Sequence, residues 1–249
     1  MKLLLSLLLA VAASFGAVGY AGSNMCGSGS GTIIPPAAQT CTYTVIGTGN
    51  VLLVTATSPH AGTTFTISDT VNTYVSVDSG VAAVTSFNVW KVVSLVASGS
   101  ITVSVTPSTT DEVTVGITEI SGSPAGVVNA HNATSSITGT VSGTKNYQCG
   151  SITTTLADSF IYVAGMIGNF NNNVTTIVSG LATTDASLTA VGNRLTIGHT
   201  LATTTGTYSP IFTCTPSGNC QTTGNTCVLV AIGGAAASTR IRHSSRGGN

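Results

Sequence analysis

The sequence predicts an all-β fold, a two-sheet antiparallel sandwich with jelly-roll or Greek-key connections. Three observations predict it. Short runs of alternating apolar and polar residues, rich in Val, Ile, Thr and Tyr, recur along the chain. Clusters of Gly, Asn, Asp, Ser and Pro separate them at short, fairly regular intervals. No segment holds a 3.6-residue apolar period long enough for a helix.

The first residues stand apart from that pattern. Lys2 precedes the apolar run from Leu3 to Ala17, and Gly19-Tyr20-Ala21 reads as a small-residue cleavage site. Residues 1–21 are therefore expected to be a secretory signal peptide, with Gly22 the first mature residue. The run is too short and wrongly flanked for a membrane span. Ser23-Asn24-Met25 supplies no lipobox before Cys26, and no later stretch is apolar enough to cross a bilayer. A secreted, extracellular protein is the expectation. Residues 22–40 are rich in Gly, Ser and Pro and form an N-terminal arm. Residues 41–235 carry the sandwich, and residues 236–249 form a basic tail with Arg240, Arg242, His243 and Arg246. A disordered tail is the default reading there, and an anchor to acidic polymer the alternative.

Within the sandwich, Thr64–Asp78 reads as a β-hairpin, two alternating runs joined at Asp69-Thr70-Val71-Asn72. Before it come strand candidates at 42–46 and 51–57. After it they fall at 82–87, 89–96, 101–106 and 113–120. A looser stretch, 121–132, precedes further candidates at 137–141, 147–154, 160–166, 174–178, 188–191, 194–199, 207–213 and 227–232.

Composition bounds the function. Only 6% of the 249 residues are charged, against about 25% in an ordinary soluble domain. There is no basic footprint for nucleic acid and no polybasic membrane patch. The polar surface must come from hydroxyls and amides, poor material for electrostatic catalysis. Few charges are available to protect strand edges. Thr- and Ser-Gly-rich edges must rely on twist and hydration, or one edge pairs with another chain. The six cysteines, Cys26, Cys41, Cys149, Cys214, Cys220 and Cys227, are even in number. In an exported chain they predict three disulfides. The metal alternative lacks a Cys-x-x-Cys pair and a histidine near Cys26 or Cys41. Of fifteen connectivities, the expected set joins Cys26 to Cys41 and pairs the other four among themselves.

Several strings follow in a recognisable order. They are Asn50-Val-Leu-Leu-Val-Thr, Ile67-Ser-Asp-Thr-Val-Asn-Thr-Tyr74, Val89-Trp-Lys-Val-Val93 and Ile101-Thr-Val-Ser-Val-Thr106. Then come Val115-Gly-Ile-Thr-Glu-Ile-Ser-Gly122, Ile152-Thr-Thr-Thr-Leu-Ala-Asp-Ser-Phe160, Thr205-Gly-Thr-Tyr208 and Cys227-Val-Leu-Val-Ala231. Together they resemble a jelly-roll-like sandwich domain of secreted bacterial proteins of unassigned function, over nearly all of Asn50 to Ala235. Val71 stands where that pattern has Gly, Lys91 where an aromatic is common, and Ile120 where Tyr or Phe is usual. The cysteines lie outside the pattern. The resemblance implies a fold and a place in adhesive or polysaccharide-associated surface proteins, and it carries no catalytic residues.

Candidate site residues are few. Glu119 falls in phase with Val113, Val115 and Ile117, on the expected core face. Its bland reading is a structural bond to a loop backbone, Lys91 or Arg194; its sharp one is a glycosidase acid, which needs a second carboxylate. The only other Glu is Glu112. Asp69 and Asn72, with Asp78 nearby, are weak calcium candidates beside an Asx-turn reading. Asp111-Glu112 and Asp158 are expected to cap turns. Trp90 and Tyr74 are a candidate sugar-stacking platform, against core packing. The histidines, His60, His131, His199 and His243, show no ligand spacing, and no nucleophile elbow or phosphate-cradling Gly motif appears. Asn132 and Asn173 head glycosylation sequons expected to stay unmodified in a bacterial host. The expected function is a secreted, non-catalytic module without cofactor, binding extracellular polysaccharide or a surface partner. The alternative is a structural subunit that self-associates through a strand edge or donated arm. A carbohydrate-active enzyme ranks third.

Overall fold

The computed structural model describes residues 18–28, 32–47, 50–82, 85–92, 95, 99–122, 126–134, 136–141, 143–167, 175–179, 183–190, 193–215, 220 and 225–233. All its regular structure is β, and every strand pairing is antiparallel.

The first eight strands are β1 (Gly19–Gly27), β2 (Gln39–Val45), β3 (Val51–Ser58), β4 (Phe65–Ser68), β5 (Val75–Ala82), β6 (Thr85–Val92), β7 (Gly99–Pro107) and β8 (Thr114–Ser121). They form a five-stranded sheet, β1-β8-β3-β6-β5, facing a three-stranded sheet, β2-β7-β4. The remaining strands are β9 (Gly126–Thr134), β10 (Ser136–Val141), β11 (Thr144–Gln148), β12 (Ile152–Thr154), β13 (Ser159–Ile167), β14 (Thr175–Ser179), β15 (Thr183–Ala190), β16 (Asn193–Ala202), β17 (Gly206–Tyr208), β18 (Ile211–Thr215) and β19 (Thr226–Gly233). They repeat the arrangement. The sheet β9-β19-β13-β16-β15 has the order of the first five-stranded sheet, and β11-β18-β14 that of the three-stranded one. β10 adds an edge to the latter. β12 and β17 continue the β11–β18 ladder past a break where the Cys149 N–H donates to the Pro210 carbonyl (3.3 Å). The expected single strand 147–154 is thus two.

Side-chain parity explains how the halves stack. In β3, Leu52, Val54 and Ala56 point into the first sandwich, against Cys41, Tyr43, Val45, Val103 and Val105. Val51 and Leu53, on the other face, meet Phe160, Tyr162, Leu195 and Val230 of the second half. In β13, Ile161 and Val163 turn inward while Phe160, Tyr162 and Ala164 face the first half. The two five-stranded sheets therefore pack face to face, making four layers. Strands buried on both faces lose the alternation of half-buried ones and read as continuous apolar runs; Val51–Val54 and Val228–Ile232 do so. Hydroxyls cross the seam in pairs, Thr55 to Tyr162 and Thr85 to Thr226, both at 2.6 Å. Burial pushes the Tyr162 hydroxyl well above its usual pKa.

The 64–78 hairpin does not form. β4 pairs with β7 and β5 with β6, so the Asp69–Asn72 turn carries the chain from one sheet to the other. Phe65, Ile67 and Tyr74 all pack on the core between those sheets, which a flat hairpin would not permit. Likewise, 85–87 of one expected strand and 89–92 of the next form the single strand β6, while Ala82 ends β5. The disulfides are Cys26–Cys41, Cys149–Cys227 and Cys214–Cys220. They match the expected number, the expected first pair, and the pairing of the other four among themselves.

Candidate functional site

The most developed polar site lies at one end of the first sandwich, where residues 59–64 carry the chain from β3 across to β4. Asp111, 1% exposed, is its hub. The hydroxyls of Ser58 and Thr63 donate to Oδ2, His60 Nδ1 lies 2.6 Å from Oδ1, and the Glu112 N–H donates to Oδ1 at 2.8 Å. A second set of bonds fixes the loop: the His60 N–H donates to Ser58 Oγ (3.0 Å), and Ser86 Oγ to the His60 carbonyl (2.8 Å). The His60 side chain is 70% exposed, so its ring stands in solvent with Nδ1 held. Burial, helped by the Asp111 charge and opposed by His60, pushes the neighbouring Glu112 carboxyl up.

Thr63 also lines a groove of about 200 Å³ together with Thr64, Phe65, Ser79, Gly80, Phe87 and Asn88. The groove follows from the chain crossing just described. Because β5 joins β6 rather than β4, a gap opens between the β4 side of one sheet and the β5–β6 end of the other. Phe87, 4% exposed, borders the groove while its side chain belongs to the layer between the two halves. Asn88 is oriented by Ser76, whose Oγ donates to Asn88 Oδ1 at 3.0 Å. Thr63, Thr64 and Ser79, the Asn88 amide and Phe65 line the groove beside Gly80 and Phe87, with no charged side chain. Such a lining suits a neutral, polyhydroxylated ligand of about one ring in size.

Ser58, His60 and Asp111 are residue types of a catalytic triad, arranged otherwise. In a triad the histidine lies between serine and carboxylate. Here the carboxylate lies between serine and histidine, and Ser58 is fully buried. The cluster therefore positions a loop and offers no activated nucleophile.

The residues singled out in the sequence fall elsewhere. Glu119 is fully buried on the core face, as its phase implies. Oε2 accepts from the Tyr43 hydroxyl and the Ile46 N–H, each at 2.9 Å; Oε1 accepts from the Gly47 N–H (2.9 Å) and Asn50 Nδ2 (2.6 Å). It clasps the β2–β3 connection, the loop-backbone reading. Lys91 is in phase with Phe87 and Val89, hence on the opposite face of the sheet. Glu112 is out of reach as the second carboxylate of a glycosidase pair. Glu112 is seven residues of extended chain away, about 23 Å at a ~3.3 Å rise, whereas glycosidase carboxylates lie about 5–9.5 Å apart. Burial pushes the Tyr43 hydroxyl up, and its bond to Glu119 pushes the same way. A Cβ on Gly22 would meet the Tyr43 hydroxyl at 2.7 Å, so glycine leaves room for that contact.

Trp90 and Tyr74 are not a sugar platform. Trp90 is 5% exposed in the first core, and Tyr74 packs beside that core with its hydroxyl on Asp69 Oδ2 (2.7 Å). Nor is the Asp69 turn open to calcium. Its carboxylate already accepts from the Val71 and Asn72 N–H groups (2.8 and 2.6 Å), Asn72 Nδ2 (2.8 Å) and Tyr74. This is Asx-turn capping. Burial raises the Asp69 pKa, but bonds from Asn72, Tyr74 and Val71 outweigh it and hold the carboxyl below its usual range. Among the described residues no group of three His, Cys, Asp or Glu could hold a metal ion.

Sequence reasoning missed the groove because its walls come from β4, β5 and β6 and owe their meeting to the crossover. It also missed a second buried pair. His199 Nδ1 lies 2.7 Å from Oδ1 of Asp185, whose side chain is 3% exposed. The His199 ring is stacked between Tyr20 and Phe160, at centroid distances of 4.7 and 4.9 Å. The Asn173 sequon, His243 and the basic tail lie outside the described residues. So does the side chain of His131. No known protein family matches this chain, and neither a curated protein nor a solved structure is significantly similar to it.

Proposed function

We propose that the chain is a secreted, non-enzymatic module that binds extracellular polysaccharide through the groove between β4 and the β5–β6 end of the first sandwich. The observation that carries this reading is the lining: Thr63, Thr64, Ser79 and Asn88 around Phe65, with no charge among them. Sugar rings offer apolar C–H faces and hydroxyl rims, and this combination answers both. Three disulfides fit an oxidising compartment. We read the strand order of each half as jelly-roll-like, with β5 and β15 moved to the larger sheet.

The test is retention of the oxidised protein on immobilised bacterial and plant polysaccharides. One glycan class is expected to retain it. Asn88→Ala and Phe65→Ala should each weaken retention at least tenfold, while Val71→Ala, on an exposed turn, leaves it unchanged. No retention on any glycan, or retention indifferent to both groove variants, overturns the reading.

A structural-subunit reading has one observation in its favour. β5 is an edge strand, and Val75 at its start is 54% exposed, with Val71 beside it at 50%. Exposed apolar residues on an edge strand invite pairing with another chain, and Asp78 is the one charge that β5 carries. Sedimentation at high concentration separates the readings, since a monomer argues against self-assembly.

A further inference from the structure

The strand β1 begins upstream of the expected cleavage point after Ala21, and its first residues are built into the fold. Val18 is 4% exposed and belongs to the layer between the two halves. Gly19 and Tyr20 open the ladder to β8 opposite Ser121 and Ile120, and Ser121 Oγ donates to the Gly19 carbonyl at 3.2 Å. The Tyr20 ring lies flat on His199, 4.7 Å between centroids and 7° between planes. His199 stacks in turn on Phe160 and is held by buried Asp185. Tyr20 and Ser23 hydroxyls meet at 2.8 Å. β1 is thus a strap. It pairs with the first half, lies along β15 of the second, and is stapled at its far end by Cys26–Cys41.

A cut after Ala21 would remove the buried Val18, the stacked Tyr20 and the first two ladder pairs. We infer, on the reading of the chain as secreted, that the leader is cut upstream of Val18, at the Gly16–Ala17 bond. Ser14-Phe15-Gly16 is a small-x-small string, and it follows Lys2 and the run Leu3–Ala13, apolar but for Ser6. These meet the length and end requirements of a signal peptide. Cleavage is hydrolysis: water adds across the amide, leaving a carboxylate on Gly16 and an amine on Ala17. The strap then stays with the mature protein.

The full chain, produced in a bacterial host with an oxidising periplasm, decides the point by N-terminal sequencing and intact mass. Ala17 is the expected first residue. A chain beginning at Gly22 overturns the inference. An unprocessed chain overturns both the cut and the secretion reading, and leaves the strap to a second measurement. For that, oxidised chains starting at Ala17 and at Gly22 are made directly and melted. The Gly22 chain should melt at least about 4 °C lower, or fail to fold. Equal melting temperatures overturn the strap itself, whatever the processing.

Discussion

Replacing Glu119 by Gln changes one oxygen to an NH2 in a fully buried site with four donors around it. The best placement keeps the amide oxygen at the Oε1 position, where Gly47 N–H and Asn50 Nδ2 still donate. The new NH2 then sits at the Oε2 position. Tyr43 can rotate its hydroxyl hydrogen and accept from it, but the Ile46 N–H cannot. One backbone donor is left facing another donor, at about 1–3 kcal/mol. The surviving bonds also lose their charge assistance, roughly 1 kcal/mol more. The sum is about 2–4 kcal/mol, a large share of the roughly 5–15 kcal/mol of a typical domain. The assay is urea unfolding, read as a lower midpoint with unchanged slope. Glu119→Ala orphans all four donors and should fall further still. Tyr43→Phe, which removes one donor and no acceptor, should cost only about 1–2 kcal/mol. A Glu119→Gln variant within about 0.5 kcal/mol of the parent refutes the clasp.

Three further outcomes follow from named contacts. A Cβ at Gly165 would stand 2.3 Å from the Phe212 ring, so Gly165→Ala should destabilise by about 1–3 kcal/mol or more. Phe212→Leu in the same chain should recover part of that loss, and additive damage from the two changes argues against the clash. The Asp69 carboxyl is held below its usual pKa, so its contribution is present above the ordinary carboxylate range and disappears as pH falls through the lowered value. The stability gap between parent and Asp69→Asn, no more than about 1 kcal/mol for a group this exposed, should close on acidification; parallel stability–pH curves count against it. Glu112 has the opposite sign. Its raised pKa means that stability is fullest with the carboxyl protonated and is lost as pH rises through the raised value. Glu112→Gln should therefore gain up to about 1 kcal/mol at neutral pH, a gain absent in acid; a loss at neutral pH contradicts it.

Much of this protein is legible in its amino-acid sequence. Alternation locates β2, β4 and β7, because a strand with one buried face writes its period into the sequence. The phase of Glu119 places it on the core face. Cysteine parity sets the disulfide number, and the expected Cys26–Cys41 pair staples the N-terminal segment. Asp69-x-x-Asn72 announces its turn through local bonding.

Tertiary structure alone decides which strands share a sheet. The 64–78 stretch has the local chemistry of a hairpin, yet its strands join different sheets, and Phe65, Ile67 and Tyr74 pack on the core between them. Trp90 could face solvent or core on parity alone; what settles it is the smaller sheet lying over β6. The repeat of one strand order in both halves is invisible in the sequence because register and hydrogen bonding carry it, and those tolerate almost any β-forming side chain. The stacking of the halves has a trace in the continuous apolar runs of β3, β13 and β19, which half-buried strands do not need. The groove and the Asp111 hub leave none. Their members are distant in sequence, and only the crossing of the chain from one sheet to the other brings them together.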